Sequence, residues 1–123
     1  MTQEELKLYS ELQKKFASDV DRITDFLKEI DYEVAFTDMG FYLEDDTVFT
    51  RGSETWAYGG YEEHSSCFEA EMLTWTDEEL QKYVERVKKG QAEERVRMDI
   101  EKTRKKEEEE RREFERLKAK YGE

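Results

Sequence analysis

The side chains best suited to chemistry lie in one short stretch, SETWAYGGYEEHSSCFEAEM, which spans residues 53–72. It holds the only histidine of the chain, His64, and the only cysteine, Cys67, and it also holds Glu62. A histidine can activate a thiol as a nucleophile, and histidine, thiolate and carboxylate groups are all zinc ligands. One hypothesis is therefore a small metal-dependent enzyme that uses Glu62, His64 and Cys67.

The spacing of these residues argues against that hypothesis. On an extended strand His64 and Cys67 point to opposite faces and lie about 10 Å apart. One histidine and one cysteine also fall short of the four ligands of a structural zinc site. We therefore expect a protein that is not an enzyme, with no catalytic residue, no metal and no cofactor.

A β-hairpin explains the same stretch without catalysis. Gly59 and Gly60 suit a two-residue loop, because glycine adopts positive φ without steric cost. Tyr58 and Tyr61 would then face each other across the two strands. Apolar residues alternate along the second strand and are expected to face the first helix: Phe68, Ala70 and Met72.

The first helix is predicted by a capping signal and an apolar stripe. Thr2 and Glu5 have the spacing of a capping box, and apolar residues then follow at steps of three and four. This pattern predicts a helix over residues 3–30. The stripe is expected to cover the core and consists of Tyr9, Leu12, Phe16, Val20, Ile23, Leu27 and Ile30.

Residues 32–75 are rich in β-branched and aromatic residues and predict a β region. The strand-like segments are Tyr32–Thr37, Gly40–Glu44, Thr47–Thr50, Glu54–Tyr58 and Ser65–Leu73. Neighbouring segments can merge, so we expect three or four strands. They must pair antiparallel, because connections this short cannot make a parallel crossover.

The second helix completes the predicted architecture. A capping box at Thr76 and Glu79 predicts a helix from residue 77 to about 120, with Gly90 as a weak point. The fold class is then α+β, with an N-terminal helix packed on a small antiparallel sheet and a long charged C-terminal helix. We expect a compact domain over residues 1–89 and a charged helical extension over residues 90–123.

The sequence does not decide whether the helical extension pairs with a second copy of the chain. A 4-3 spacing runs through residues 96–121, but its middle positions Thr103, Glu107 and Glu110 are polar. A stable coiled coil needs apolar residues there over several heptads. The segment is either a lone charged helix or a homodimer contact through its apolar positions: Val96, Ile100, Phe114, Leu117 and Tyr121.

The net charge of −12 is concentrated in the middle of the chain. Residues 31–76 carry eleven acidic side chains and one basic side chain, Arg51, whereas residues 77–123 carry fifteen of each sign. An acidic surface repels phosphate backbones and attracts basic surfaces. We therefore expect a basic patch on a protein as the partner, and no direct contact with nucleic acid.

Ten of the sixteen aromatic residues also lie within residues 31–76. A sheet of this size cannot bury all of them on one face, and exposed aromatic residues ringed by charge are typical of contact surfaces. The predicted partner-binding residues are Glu44, Asp45, Asp46, Trp56, Tyr58, Tyr61, Glu62 and Glu63.

The sequence predicts a cytoplasmic protein without membrane contact. No apolar run approaches the length of a membrane span, and the N-terminus lacks the pattern of a secretory signal. A single cysteine cannot form an internal disulfide, which fits a reducing compartment.

A capped helix, an acidic β region containing WAYGGYEEHSS and a charged helical tail together resemble the small accessory proteins of bacteriophages and prophages. The resemblance implies binding to a host protein. Some anti-restriction and anti-CRISPR proteins are similar in being acidic and nucleic-acid-like. The resemblance assigns no role to any residue.

The leading hypothesis is a non-enzymatic, phage-type interaction protein whose acidic, aromatic β surface binds a basic patch on a partner. A sharper form of it is an inhibitor of host defence that mimics nucleic acid. The alternative from another class is a structural or assembly protein that dimerises through the long C-terminal helix.

Overall fold

Two long helices, three strands and three short 3₁₀ segments make up the protein in a computed structural model, which describes residues 1–122. The helices are α1 (Gln3–Leu27) and α2 (Asp77–Lys120), and the strands are β1 (Gly40–Glu44), β2 (Thr47–Trp56) and β3 (Gly60–Glu69). The 3₁₀ segments are Tyr32–Ala35, Ala57–Gly59 and Ala70–Thr74. The predicted α+β fold class is confirmed.

Helix α1 begins as predicted and ends earlier than predicted. The Thr2 hydroxyl accepts a hydrogen bond from the Glu5 backbone N–H at 3.0 Å, and the Glu5 carboxylate accepts one from the Thr2 N–H. The helix ends at Leu27 instead of residue 30. Its end is set by Asp31, because the Asp31 carboxylate accepts from the Glu33 N–H and starts the next 3₁₀ segment.

Only the C-terminal half of the α1 stripe covers the core. Val20, Ile23 and Leu27 are buried, whereas Tyr9 and Leu12 are more than half exposed. The prediction that the whole stripe packs on the core is therefore wrong. The helix is longer than the small sheet can cover, so its first turns extend beyond the sheet.

The predicted strand at Tyr32–Thr37 is wrong, because residues Tyr32–Ala35 form a 3₁₀ segment. Its Val34 side chain is fully buried against the core. A strand needs a hydrogen-bonded neighbour, and in the described chain the sheet consists of β1, β2 and β3 alone. Local composition rich in β-branched and aromatic residues was therefore a misleading signal here.

The sheet has three antiparallel strands in the order β1-β2-β3, within the predicted range of three or four. Strand β2 is continuous and merges two predicted segments, Thr47–Thr50 and most of Glu54–Tyr58. Asp45 and Asp46 form a two-residue turn between β1 and β2, with Asp45 at a φ of 54°.

The turn between β2 and β3 differs from its prediction. Trp56 pairs with Gly60, so the turn consists of the three residues Ala57–Gly59. Positive φ occurs at Tyr58 (69°) and Gly59 (79°), whereas Gly60 has an ordinary φ of −64°. Tyr61 pairs with Thr55, so the predicted pairing of Tyr58 with Tyr61 is wrong.

The core lies on one face of the sheet, called here the inner face and defined by Val48 and Phe68. Strand β3 ends at Glu69, so the strand predicted over Ser65–Leu73 is too long, and Met72 reaches the core from the 3₁₀ segment Ala70–Thr74. The buried apolar side chains are Val20, Ile23, Leu27, Val34, Val48, Phe68, Met72, Leu80 and Val84.

The start of α2 is fixed to α1 by one arginine. The Arg22 guanidinium donates to the Asp77 carboxylate at 2.7 Å and to the Trp75 carbonyl at 3.0 Å. The Thr76 hydroxyl accepts from the Glu79 backbone N–H at 3.2 Å, as the capping signal predicts. These contacts hold Leu80 and Val84 against the core.

Helix α2 has the predicted bounds, and the chain divides into two compact units. The first unit is Met1–Arg86, and the second begins at Val87. The sequence-based boundary was placed after residue 89. In the part of the chain that the structure describes, no helix is both long and apolar enough to cross a membrane.

Gly52, in the middle of β2, is required by a close backbone approach. A Cβ atom at this position would collide with the backbone carbonyl group of Phe36, which lies directly against the strand. We predict that Gly52→Ala lowers the free energy of unfolding by about 1–3 kcal/mol, because inserted atoms force the packed backbone apart. Chemical denaturation measures this change.

Gly90 provides the matched control, because an added Cβ there meets no atom within 4 Å. Gly90→Ala lies inside α2 and is expected to stabilise that helix by roughly 0.5–1 kcal/mol, measured by circular dichroism. Equal effects of the two substitutions would contradict the close approach at Gly52.

Candidate functional site

The register of β2 and β3 brings together three polar side chains. Glu54 lies directly opposite Glu62, and His64 lies opposite Gly52. Because alternate residues of a strand share a face, Glu54, Glu62 and His64 all lie on the inner face. One nitrogen or oxygen atom from each of them lies within 4.8 Å of those of the other two.

His64 is buried, with only 5% of its surface exposed. The Phe36 ring stacks on the imidazole, with centroids 4.4 Å apart and planes inclined by 17°. The Tyr32 ring meets the imidazole edge to face at 5.6 Å. Two aromatic side chains therefore fix the orientation of the imidazole.

Carboxylates surround both nitrogens of this imidazole. Nε2 lies 3.1 Å from Glu54 Oε1 and 3.9 Å from Glu62 Oε2. Nδ1 lies 4.0 Å from Glu33 Oε1, and within residues 1–122 it has no hydrogen-bond partner. We call His64 with Glu33, Glu54, Glu62 and Tyr32 the His64 cluster.

Tyr32 holds one of these carboxylates in place. Its hydroxyl donates a short hydrogen bond to Glu54 Oε2, which leaves Oε1 directed at His64. This bond lowers the pKa of Glu54, and the neighbouring His64 acts in the same direction. The same bond raises the pKa of Tyr32. Charge on Glu54 is therefore stabilised by fixed donors.

A second polar contact fastens the chain segment that covers His64. The Asp38 carboxylate accepts from the Ser53 hydroxyl and from the Ser53 backbone N–H, both at 2.6 Å. These bonds lower the pKa of Asp38. Because Phe36 lies two residues before Asp38, the contact also holds the Phe36 ring over the imidazole.

The hairpin tip, defined as residues 54–63, carries five of the eight predicted contact residues. Tyr58 stands at its apex and is fully exposed, while Trp56 and Tyr61 are 52% and 57% exposed. The Trp56 indole lies over Gly60, where a Cβ atom would collide with it. On the outer face of the sheet, the Tyr61 hydroxyl donates to Glu63 at 3.1 Å.

The other three predicted residues, Glu44, Asp45 and Asp46, lie at the opposite end of β2. A strand of ten residues is roughly 30 Å long. The predicted contact residues therefore form two separate groups, and the structure does not bring them together.

Cys67 is exposed and lies on the outer face, opposite Phe49. The expectation that Cys67 and His64 point to opposite faces agrees with this register. Glu62 and His64 do come together, but with Glu54 in place of Cys67. Glu54, Tyr32 and Phe36 carry no signal in the sequence that marks them as site residues, because their proximity depends on the register and on long-range packing.

Comparison with protein-family models, with curated proteins and with solved structures finds no match to this chain. The geometry of its own side chains is therefore the basis for assigning a function.

Asp38 should make the stability of the protein depend on pH. A carboxyl group whose pKa is lowered by folding contributes stability above its ordinary value of 3.8. This contribution is lost as pH falls through the lower pKa of the folded state. We predict that Asp38→Asn is less stable than the wild type at neutral pH and loses less stability between neutral pH and pH 3, as measured by urea unfolding.

Asp45→Asn is the control, because it removes the same charge from a turn without touching Ser53. If the two variants showed the same change of stability with pH, the contact of Asp38 with Ser53 would have no role in acid stability.

Proposed function

We propose that this chain is a non-enzymatic interaction protein whose hairpin tip inserts into a cleft lined by basic residues on a protein partner. The single observation that carries the proposal is Tyr58, a bulky residue that is fully exposed at a φ of 69°. An exposed aromatic side chain and a left-handed backbone are both unfavourable for the isolated protein. They suit a side chain that contacts a partner.

The left-handed conformation of Tyr58 is unfavourable for a residue of its type. A left-handed conformation costs an ordinary residue roughly 1–2 kcal/mol, whereas glycine and asparagine adopt it far more readily. Among residues 1–122, the Tyr58 side chain has no hydrogen-bond, ion-pair or aromatic partner. Strained residues of this kind concentrate at binding sites, where the strain presents a side chain to a partner.

The arrangement of the hairpin tip favours a cleft over a flat surface. Trp56 and Glu62 lie on its inner face, Tyr61 and Glu63 lie on its outer face, and Tyr58 lies at the apex. Tyrosine and tryptophan rings stack on guanidinium groups, and carboxylates pair with them. Arginine side chains on both walls of a cleft would therefore match this tip.

The wider acidic surface supports the proposal less directly. The carboxylates of residues 31–76 are divided between both faces and both ends of the sheet, and several bond internally. Nucleic-acid mimicry requires carboxylates spaced along one face, so the geometry favours aromatic anchoring over mimicry. A phage-type origin and a cytoplasmic location stay predictions from the sequence.

Tyr58→Asn tests the role of the apex. We predict that this substitution weakens partner binding at least tenfold, and that the free energy of unfolding stays equal to or exceeds that of the wild type, because asparagine tolerates positive φ. The partner is identified by affinity capture with the wild-type chain and mass spectrometry. Its affinity for both chains is then measured by calorimetry.

Tyr42→Asn is the control, because Tyr42 is a half-exposed tyrosine on β1 outside the hairpin tip. The control should bind as the wild type does, and wild-type binding should weaken as salt rises from about 0.05 to 0.5 M. A partner that binds Tyr58→Asn and wild type equally would contradict insertion of the tip.

A homodimer through residues 96–121 is a second candidate function, favoured by a stripe of exposed apolar side chains. The apolar positions of the 4-3 spacing are all exposed: Val96, Ile100, Phe114 and Leu117 on α2, and Tyr121 directly after its end. Acidic and basic residues balance over residues 77–123, so a second copy would not be repelled.

Substitution on this stripe tests the dimer. We predict that Ile100→Glu with Leu117→Glu shifts the chain from dimer to monomer in sedimentation experiments, because it places charge in the helix contact. Met98→Glu is the control, since Met98 is equally exposed but lies off the 4-3 spacing. A wild-type chain that stays monomeric at high concentration would exclude this candidate.

A further inference from the structure

We propose that Glu54, Glu62 and His64 bind a divalent transition-metal ion of the zinc type, with water completing its coordination. This site shares Glu62 with the proposed partner contact, and its other two ligands, Glu54 and His64, lie at the base of the hairpin tip on the inner face. It also differs from the grouping of Glu62, His64 and Cys67 that the sequence suggests.

Two like charges face each other at the base of the hairpin tip. Glu54 and Glu62 are directly opposite each other on neighbouring strands. Like charges in this position destabilise a sheet. Arg51, the one basic residue within residues 31–76, does not offset them, since it bonds to Glu63 on the other face. A cation between the two carboxylates would turn this repulsion into attraction.

His64 has one ring nitrogen more than its neighbours can satisfy. Glu54 Oε1 can only accept a hydrogen bond as a carboxylate, so Nε2 carries the proton when no ion is bound. In the neutral imidazole Nδ1 is then a buried acceptor without a donor, and the Glu33 carboxylate 4.0 Å away is another acceptor. A buried polar atom left in this state is costly.

A metal ion on Nε2 resolves both problems. The proton then resides on Nδ1 and points at Glu33, which lies 4.0 Å away on an exposed side chain that can move closer. Histidine ligands commonly donate their second ring N–H to a carboxylate in this way. The Tyr32 hydroxyl bound to Glu54 provides the matching support for the carboxylate ligand.

The distances between ligand atoms fit such an ion. Bond lengths near 2.1 Å at tetrahedral angles place ligand atoms roughly 3.4 Å apart. Nε2 lies 3.1 Å from Glu54 Oε1 and 3.9 Å from Glu62 Oε2. One distance is slightly shorter than the ideal separation of ligand atoms, and the other is slightly longer. The exposed Glu62 side chain gives the ion a path from solvent.

The donor set selects the class of ion. One imidazole nitrogen with two carboxylates suits zinc and its neighbours, whereas calcium and magnesium prefer oxygen ligands alone. A protonated imidazolium would also give each ring nitrogen a carboxylate acceptor. The experiment must therefore separate a bound ion from a bound proton.

The test uses the full chain, freed of metal by chelation and titrated with zinc chloride in a calorimeter. We expect one ion per chain and a melting temperature that rises with zinc and returns to its original value with chelator. We expect His64→Gln and Glu54→Gln to weaken zinc binding at least tenfold. Cys67→Ala and Glu69→Gln should leave the affinity for zinc unchanged. This result would exclude the thiol and the general acidity of the surface as the cause of zinc binding.

Glu62→Gln keeps the proposal testable if the His64 variant does not fold, because Glu62 is exposed. This variant should melt at a higher temperature than wild type without metal, since it removes the like-charge pair, and should bind zinc at least tenfold more weakly. Nitrogen NMR of His64 should show zinc moving the Nε2 resonance far more than that of Nδ1. The proposed site would be overturned if the wild type bound zinc no more tightly than Glu62→Gln does. It would also be overturned if the Nε2 resonance did not move at saturating zinc.

Discussion

The absence of a side chain at Gly52 is the constraint on which the rest of the candidate site depends. It lets the backbone of Phe36 lie directly on β2, and this contact brings the Phe36 ring over His64. Asp38 can then reach Ser53 and fasten the segment. A bulkier residue at position 52 would push the Phe36 backbone away from β2 and with it the ring that stacks on His64.

The helices and the fold class were predictable because they depend on local signals. Capping residues and the apolar period of α1 act within a few turns, and the Asp45-Asp46 turn is set by its own backbone preferences. The 3₁₀ segment Tyr32–Ala35 was read as a strand because its composition suits either structure. The burial of Val34 favours the 3₁₀ conformation over a strand, and a single sequence does not reveal this burial.

The candidate site was less predictable because it depends on strand register. A two-residue loop at Gly59-Gly60 would have paired Glu54 with Ser65, far from Glu62. The three-residue turn moves the pairing, so Glu54 meets Glu62 beside His64. Since side chains alternate between faces, a small error in register changes which residues meet and on which side. The turn that accompanies this register holds Tyr58, a residue that rarely takes positive φ, at a φ of 69°.

Both outer strands of the sheet, β1 and β3, are edges, and in residues 1–122 no further strand pairs with either. Free backbone groups on such edges can template the growth of a sheet from one molecule to the next. Here β3 carries Glu62, Glu63 and Glu69, and β1 ends at Glu44. Two molecules that approached edge to edge would bring like charges together, so the acidity of these strands disfavours the growth of a sheet from one molecule to the next.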